Sequence, residues 1–118
     1  MDRQKSGKHG ENIACEHLTR HGLEIVETNY YTRYGEIDIV AKTDKTYHFV
    51  EVKTRLNHNY GRAAESLSPR KLKHFMKTVQ SYVKRKKILK YDISIDFIAI
   101  DILNDGTIEF EWMKNITI

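Results

Sequence analysis

The chain lacks the features that stabilise small secreted proteins or anchor proteins in membranes. It has one cysteine in 118 residues, Cys15, so no disulfide can form within it. No stretch approaches the ~18 apolar residues of a membrane span, and the first residues lack the apolar run of a secretory signal. The six histidines are scattered, and none of their spacings is typical of a zinc site. These absences predict a cytoplasmic protein without a membrane segment.

Acidic residues are also absent from one long stretch of the chain. The net charge is only +4, but residues 66–91 contain nine basic residues and no acid, which leaves 11 basic and 16 acidic residues elsewhere. Such a separation predicts a basic surface that faces phosphates and an acidic cluster that could hold a metal ion. The alternative for the lysines near residue 86 is that they complement a helix dipole.

The hydrophobic pattern predicts one domain, residues 1–118, with the element order α-βββ-α-ββ. That order indicates an α/β fold in which helices flank a mixed sheet. Ser68 and Pro69 are typical of a helix start, and Gly22 is well placed to end the first helix. The segment 56–67 is predicted to be a loop. The periodicities predict helices over residues 7–21 and 69–86 and strands over residues 24–31, 36–42, 47–54, 93–102 and 108–112.

Two acids and a lysine on neighbouring predicted strands are the most informative residues. If residues 43–46 form the turn, positions pair when their numbers sum to 89, so that Asp38 faces Glu51. Lys53 then lies on the same face as Glu51, because side chains alternate along a strand. Facing carboxylates repel, so a hard cation such as Mg²⁺ is expected between them. With a lysine to orient water or stabilise developing charge, the set predicts phosphodiester hydrolysis.

A purely structural interpretation of the same residues stays open. The register also pairs Glu36 with Lys53, which would make these positions a solvated cross-strand charge ladder. Exposed ion pairs of this kind are common and contribute only about a few tenths of a kcal/mol. The triplet alone does not decide between the two interpretations.

Several short motifs in fixed order carry a resemblance to a known family. The chain resembles the restriction-endonuclease-like superfamily and, more closely, the YraN family of small uncharacterised bacterial proteins, which are similar to archaeal Holliday-junction resolvases. Ile37 departs from the proline that is usual in the broad superfamily, although the YraN family shows the same Gly-Glu-Ile-Asp form. The resemblance covers residues 7–101 and includes Gly10-Glu11 with Ala14, Asn29, Arg33 with Gly35-Glu36-Ile37-Asp38, Phe49-Val50-Glu51-Val52-Lys53 with Arg55, Tyr60-Gly61 and residues 63–71.

The resemblance implies a restriction-endonuclease-like fold and an Mg²⁺- or Mn²⁺-dependent nuclease acting on DNA, including branched or flapped DNA. It implies that Glu11 joins Asp38 and Glu51 as a metal ligand, beside a catalytic Lys53. Without it, Glu11 would be an ordinary acid in the first turn of a helix. Glu36 and Gln80 are weaker candidates, and backbone phosphates would be bound by Arg33, Arg55, Arg70, Lys71 and Lys73.

Other outcomes remain open from the sequence. Asp96 interrupts an apolar strand, either as a satisfied buried acid or as a group that supports the site. Junction cutting would favour a homodimer that presents two sites. The main alternative function is a nucleic-acid-binding module without catalysis, and a protein-interaction domain is a third class.

Overall fold

The computed structural model describes residues 3–58 and 61–116 and has a five-stranded mixed sheet flanked by two helices. The strands lie side by side in chain order, and only the β3–β4 pair is parallel. The predicted element order and α/β architecture are confirmed. Tyr60, which is part of the Tyr60-Gly61 motif of the family resemblance, lies outside the described residues. The elements are α1 Arg3–Arg20, β1 Glu24–Thr32, β2 Gly35–Lys42, β3 Thr46–Leu56, a 3-10 turn Ala63–Ser66, α2 Pro69–Lys86, β4 Asp92–Ile102 and β5 Ile108–Met113.

The predicted helix ends are present. Gly22 has a φ of +86°, and the Leu23 N–H donates to the Leu18 carbonyl at 3.1 Å, which closes the end of α1. At the start of α2, the Ser68 hydroxyl accepts a hydrogen bond from the Lys71 N–H at 3.2 Å. Both signals act locally, which is why the sequence reveals them.

The sheet is buried on both faces, each under one helix. The α1 side contains Leu18, Ile39 and Val50, and the α2 side contains Phe49 and Tyr82. The apolar sequence of residues 93–102 predicts a strand buried on both faces, and β4 is buried from Ser94 to Asp101, whereas Ile93 is exposed. The functional residues therefore have to project where one of these two layers ends.

β2 changes face at Asp38. The predicted register is confirmed from Lys42–Tyr47 to Ile39–Val50, but the ladder between the described residues stops there, one pair before Asp38 and Glu51. The alternation of Ile37 and Ile39 with Glu36 and Asp38 predicts that the two isoleucines share a core face. This prediction is wrong, because Ile37 packs in the α2-side cluster and Ile39 in the α1-side cluster. The strands thus part where the candidate site begins.

Three further details differ from the sequence prediction. β3 continues to Leu56, and the predicted loop that follows contains a 3-10 turn at Ala63–Ser66. The alternation of Ile108 with Glu109 predicts a buried Ile108, but this residue is 42% exposed because it lies at the first position of β5. A separate finding bears on the prediction of no membrane segment: neither of the described helices is both long enough and apolar enough to cross a lipid bilayer.

α1 approaches β3 closely at Gly10. A Cβ atom at this position would lie 1.9 Å from the Thr54 hydroxyl oxygen and 3.1 Å from the Thr54 Cβ. Gly7, one turn earlier on the same helix, has no atom within 4 Å of a corresponding Cβ. The close approach matters because Gly10 directly precedes Glu11.

The two glycines give a matched test of this packing. Gly10→Ala should lower the free energy of unfolding by about 1–3 kcal/mol, because the added methyl group forces α1 away from β3. Gly7→Ala should leave stability unchanged or raise it by about 0.5–1 kcal/mol, since alanine favours the helix. Urea unfolding measures both, and equal stabilisation by the two substitutions would contradict the close contact.

Candidate functional site

Three carboxylates meet where α1 approaches the start of β2. Oxygen atoms of Glu11, Glu36 and Asp38 all lie within 4.8 Å of one another, and all three side chains are half-buried. We call these residues the acidic trio. Glu11 lies in the middle of α1, which begins at Arg3, so the interpretation of Glu11 as a first-turn acid is wrong. The weaker candidate Glu36 is part of the trio.

Backbone irregularities hold the trio in place. Asn29 on β1 has a φ of +51°, which asparagine tolerates better than most residues, and its amide donates to Glu11 Oε1 at 3.0 Å. The Val52 N–H donates to Asp38 Oδ2 at 2.8 Å. The Asp38 side chain thus takes a backbone donor of β3 just beyond the last ladder pair.

The trio is crowded enough to change the ionisation of Asp38. Burial raises the pKa of Asp38, and a hydrogen bond with Glu36 and the nearby charge of Glu11 add to this, against the hydrogen bond from Val52. The resulting pKa is about 8, compared with an ordinary value of 3.8. Negative charge at this point is therefore unfavourable unless a positive partner is present.

Glu51 and Lys53 project into a cavity of about 820 Å³ that Glu36 and Asp38 also line. We call this the central cavity. Glu51 lines it but does not belong to the acidic trio. Burial raises the pKa of Glu51, while the neighbouring Lys71, Lys53 and His74 act in the opposite direction. The predicted acid and lysine pair therefore shares one cavity with Asp38.

The opposite wall of the central cavity is a row of basic side chains on α2. The predicted Arg70, Lys71 and Lys73 are joined there by His74 and Lys77, which were not among the predicted site residues. Their signal was available, since Arg70, Lys73, His74 and Lys77 follow helical spacing along one face. We call these five residues the basic wall.

Gly35 allows α2 to lie close to the start of β2. It has a φ of +148°, and a Cβ atom at this position would lie 3.1 Å from the Thr78 hydroxyl oxygen. A larger residue would be strained in this conformation and would push α2 outward. The glycine therefore helps to bring the basic wall opposite the carboxylates.

The predicted phosphate contacts Arg33 and Arg55 and the weaker candidate Gln80 lie outside the central cavity. Arg33 and Gln80 line a second groove along α2, which shares Lys77 with the central cavity. Arg55 pairs with Asp101 in the β3–β4 register and lines neither depression.

Asp96 is a satisfied buried acid on the strand next to β3. It accepts hydrogen bonds from the His48 ring, the Ser94 hydroxyl, the Trp112 indole and the Asn115 backbone at 2.6–3.1 Å. Burial alone would raise the pKa of Asp96, but these four donors hold it below its usual value. The two possibilities left open by the sequence are thereby decided in favour of a structural role.

A second titratable cluster fastens the segment after β3. His58 Nε2 lies 2.7 Å from Glu109 and 3.7 Å from Asp101, and the Arg62 guanidinium lies 3.6 Å from the same Glu109 oxygen. Asp101 also accepts the Ala63 N–H at 3.0 Å. Arg62 already supplies positive charge to this cluster, which ties the segment to β4 and β5.

A sequence profile of one protein family matches most of the chain. The family is described as "Uncharacterised protein family UPF0102", also known as the YraN family, and the match covers residues 10–100. The chain belongs to this family. The matched region of this UPF0102 chain includes the acidic trio, Glu51, Lys53 and the basic wall.

Individual relatives agree with the profile over nearly the whole chain. A UPF0102 protein of Dichelobacter nodosus is 39% identical over 116 residues, which are 98% of this chain and 91% of the relative. A UPF0102 protein of Campylobacter hominis is 41% identical over 97 residues, covering 82% of this chain and 84% of the relative. A UPF0102 protein of Caldicellulosiruptor bescii is 40% identical over 103 residues, covering 83% of this chain and 87% of the relative. These names give a family and no activity.

Asp38 should make the stability of the metal-free protein depend on pH. The Asp38 carboxyl has a pKa of 3.8 in the unfolded chain and about 8 in the folded protein. The free energy of unfolding therefore falls as the pH rises between these two values. Asp38→Asn removes this cost and should stabilise the protein by about 1–3 kcal/mol at pH 7.5, with little effect at pH 4.

Chemical denaturation in the presence of a chelator measures this difference. Asp44→Asn, which removes an exposed carboxylate in the β2–β3 turn, is the matched control and should show no such pH-dependent gain. A stability difference between native protein and Asp38→Asn that does not change with pH would contradict the crowding of the trio.

Proposed function

We propose that this chain is a metal-dependent nuclease that hydrolyses phosphodiester bonds, with DNA as its substrate. One observation carries the proposal: two members of the acidic trio, Glu36 and Asp38, line one cavity with Glu51 and Lys53, opposite the basic wall. Carboxylates that can hold a cation, next to cations that can hold phosphates, are the two requirements of metal-assisted phosphodiester hydrolysis. The resemblance of Asp38, Glu51 and Lys53 to the restriction-endonuclease-like motif supports the same activity.

The acidic trio fits a hard divalent cation such as Mg²⁺ or Mn²⁺. Oxygens on opposite sides of Mg²⁺ are about 4.2 Å apart, and the oxygens of the trio lie within 4.8 Å of one another. The raised pKa of Asp38 supports this fit, because a bound cation would favour the ionised form. Glu36 is thereby a stronger ligand candidate than the sequence suggested, and Glu51 stays a candidate beside the trio. A bound ion would polarise a phosphoryl oxygen and lower the pKa of a bound water.

The other residues of the cavity have distinct proposed roles. Glu51 is half-buried and its pKa is raised, so its carboxylate accepts a proton from water more readily than an exposed glutamate. Lys53 shares its strand face and would stabilise negative charge on the phosphate as the bond breaks. The basic wall would hold backbone phosphates, which positions a substrate without selecting a base sequence.

Cation binding should stabilise the native protein and depend on the trio. At about 100 times its dissociation constant, Mn²⁺ should add about 2.7 kcal/mol, or roughly 8–15 °C in melting temperature. Glu36→Gln and Asp38→Asn should lose most of this gain, and Glu51→Gln tests the sequence-predicted ligand. Thermal melts with and without Mn²⁺ measure the effect, with the exposed Glu16→Gln on α1 as control. No shift for the native protein would argue against a metal site.

Cleavage of nucleic acid should depend on Asp38 and Lys53. The purified protein should cut at least one of end-labelled single-stranded, duplex, flap and four-way-junction DNA in Mg²⁺ or Mn²⁺. Asp38→Asn and Lys53→Ala should each lower the rate by about 10²-fold or more, because they remove charge that acts on the reacting phosphate. Lys45→Gln, an exposed lysine in the β2–β3 turn, should cut normally.

Binding measured in Ca²⁺ separates catalysis from affinity in this experiment. Asp38→Asn and Lys53→Ala should still bind the intact DNA substrate that the native protein cuts. Cleavage retained by Asp38→Asn would refute the assignment of the trio. Intact substrates in every reaction, together with salt-sensitive DNA binding, would favour a binding module without catalysis.

A further inference from the structure

Two grooves adjoin the central cavity, one beside each helix. The first, the α2 groove, shares Lys77 with the central cavity and continues past Gln80 to Arg85. The second, the α1 groove, shares Glu36 with the central cavity and is lined by Lys8, Asn29 and Tyr31. The shared residues make the three depressions neighbours, and we call this row of depressions the path; members of the acidic trio line two of the three.

The α2 groove has the charge expected of a phosphate track. Arg33, Lys77, Lys84 and Arg85 line it, and the described residues of its lining include no acid. Lys77, Lys84 and Arg85 follow helical spacing, and the distance from the first to the last is about 12 Å along the axis of α2. This length extends the basic wall away from the acidic trio.

Two exposed tyrosines lie along the path, one in each groove. Tyr31 is 72% exposed, pairs with Glu36 in the β1–β2 ladder and lines the α1 groove. Tyr34 is 39% exposed and lines the α2 groove, with the Arg33 guanidinium 4.9 Å from its ring centre. Arg33 also donates to the Tyr34 hydroxyl at 2.7 Å, which fixes the ring in place.

We infer that this path binds an unpaired nucleic-acid strand, with bases stacked on Tyr31 and Tyr34 and phosphates bound by Lys77, Lys84 and Arg85. Exposed aromatic rings beside cations are the features that hold single strands without base selection, since every base has a π-face. In a duplex those faces are covered by neighbouring bases, so the tyrosines would have nothing to stack on. The inference rests on the proposed function, because it takes the acidic trio as the position of the scissile phosphate.

Stacking can be separated from charge by comparing two strands. Fluorescence anisotropy in Ca²⁺ would measure binding of a single-stranded 20-mer and of an abasic strand with the same number of phosphates. Tyr31→Ala and Tyr34→Ala should each weaken binding of the normal strand by about 5- to 100-fold, with little change for the abasic strand. Tyr31→Phe and Tyr34→Phe lose the hydroxyl bonds to Glu36 and Arg33 but keep the rings, so each should bind the normal strand more tightly than the matching alanine variant. Equal losses on both strands, or no loss from either alanine variant, would overturn the stacking.

The phosphate track has its own measurement. The Lys84→Gln/Arg85→Gln variant should reduce the slope of log affinity against log salt by about 1.4 for a single strand, because two counterion-releasing contacts are lost. The Lys45→Gln/Lys90→Gln variant removes the same charge from residues that line none of the three depressions, and it should keep the native slope. Equal slopes for the two variants would overturn this part of the inference.

The outcomes also distinguish this inference from the nuclease proposal. Tyrosine-dependent binding by a protein that cuts no substrate would support the inference and refute the nuclease. Metal-dependent cutting by a protein whose tyrosine variants bind single strands normally would support the nuclease and overturn the inference.

Discussion

Electrostatic repulsion within the acidic trio is the constraint on which the rest of the structure depends. Three half-buried carboxylates whose oxygens lie within 4.8 Å of one another are costly to ionise together unless a cation lies between them. The fold nevertheless brings them together through several close fits. Gly10 lets α1 approach β3, and Asn29 adopts a left-handed backbone that holds Glu11. Gly35 in turn lets α2 approach β2, which places the basic wall opposite the trio.

The basic wall answers this concentration of negative charge across the central cavity. Lys71, Lys53 and His74 all act on Glu51, so part of the charge of the two sides is already compensated without a ligand. The remaining wall residues are exposed, where they can contact the phosphates of a nucleic acid. The separation of charge that is visible along the chain is therefore also a separation across one cavity, with β2 and β3 on one side and α2 on the other.

The sequence predicts the features that depend on neighbouring residues. The Ser68 cap, the Gly22 helix end and the β2–β3 register each follow from a few consecutive side chains or from one turn. The sequence does not predict the change of face at Asp38. Polar and apolar residues keep alternating through this position, whereas the pairing of β2 with β3 ends just before it. The grouping of Glu36 with Glu11 depends on how α1 packs against the sheet. His74 lies at helical spacing from Arg70 and Lys77, but its imidazole carries no permanent charge and does not count in the basic excess of residues 66–91.

The position of the trio also bears on whether the chain cuts nucleic acid or only binds it. A surface that merely binds a phosphate backbone gains affinity from every cation and loses it at every carboxylate. Here the carboxylates lie along the basic path, shared with it through Glu36, so they would repel the phosphate that passes them. A divalent cation reverses the sign of that interaction, since it binds carboxylates and phosphate together. In the proposed nuclease, phosphate would therefore bind beside the trio only together with a cation, which is a requirement of metal-dependent hydrolysis and not of a simple binding surface.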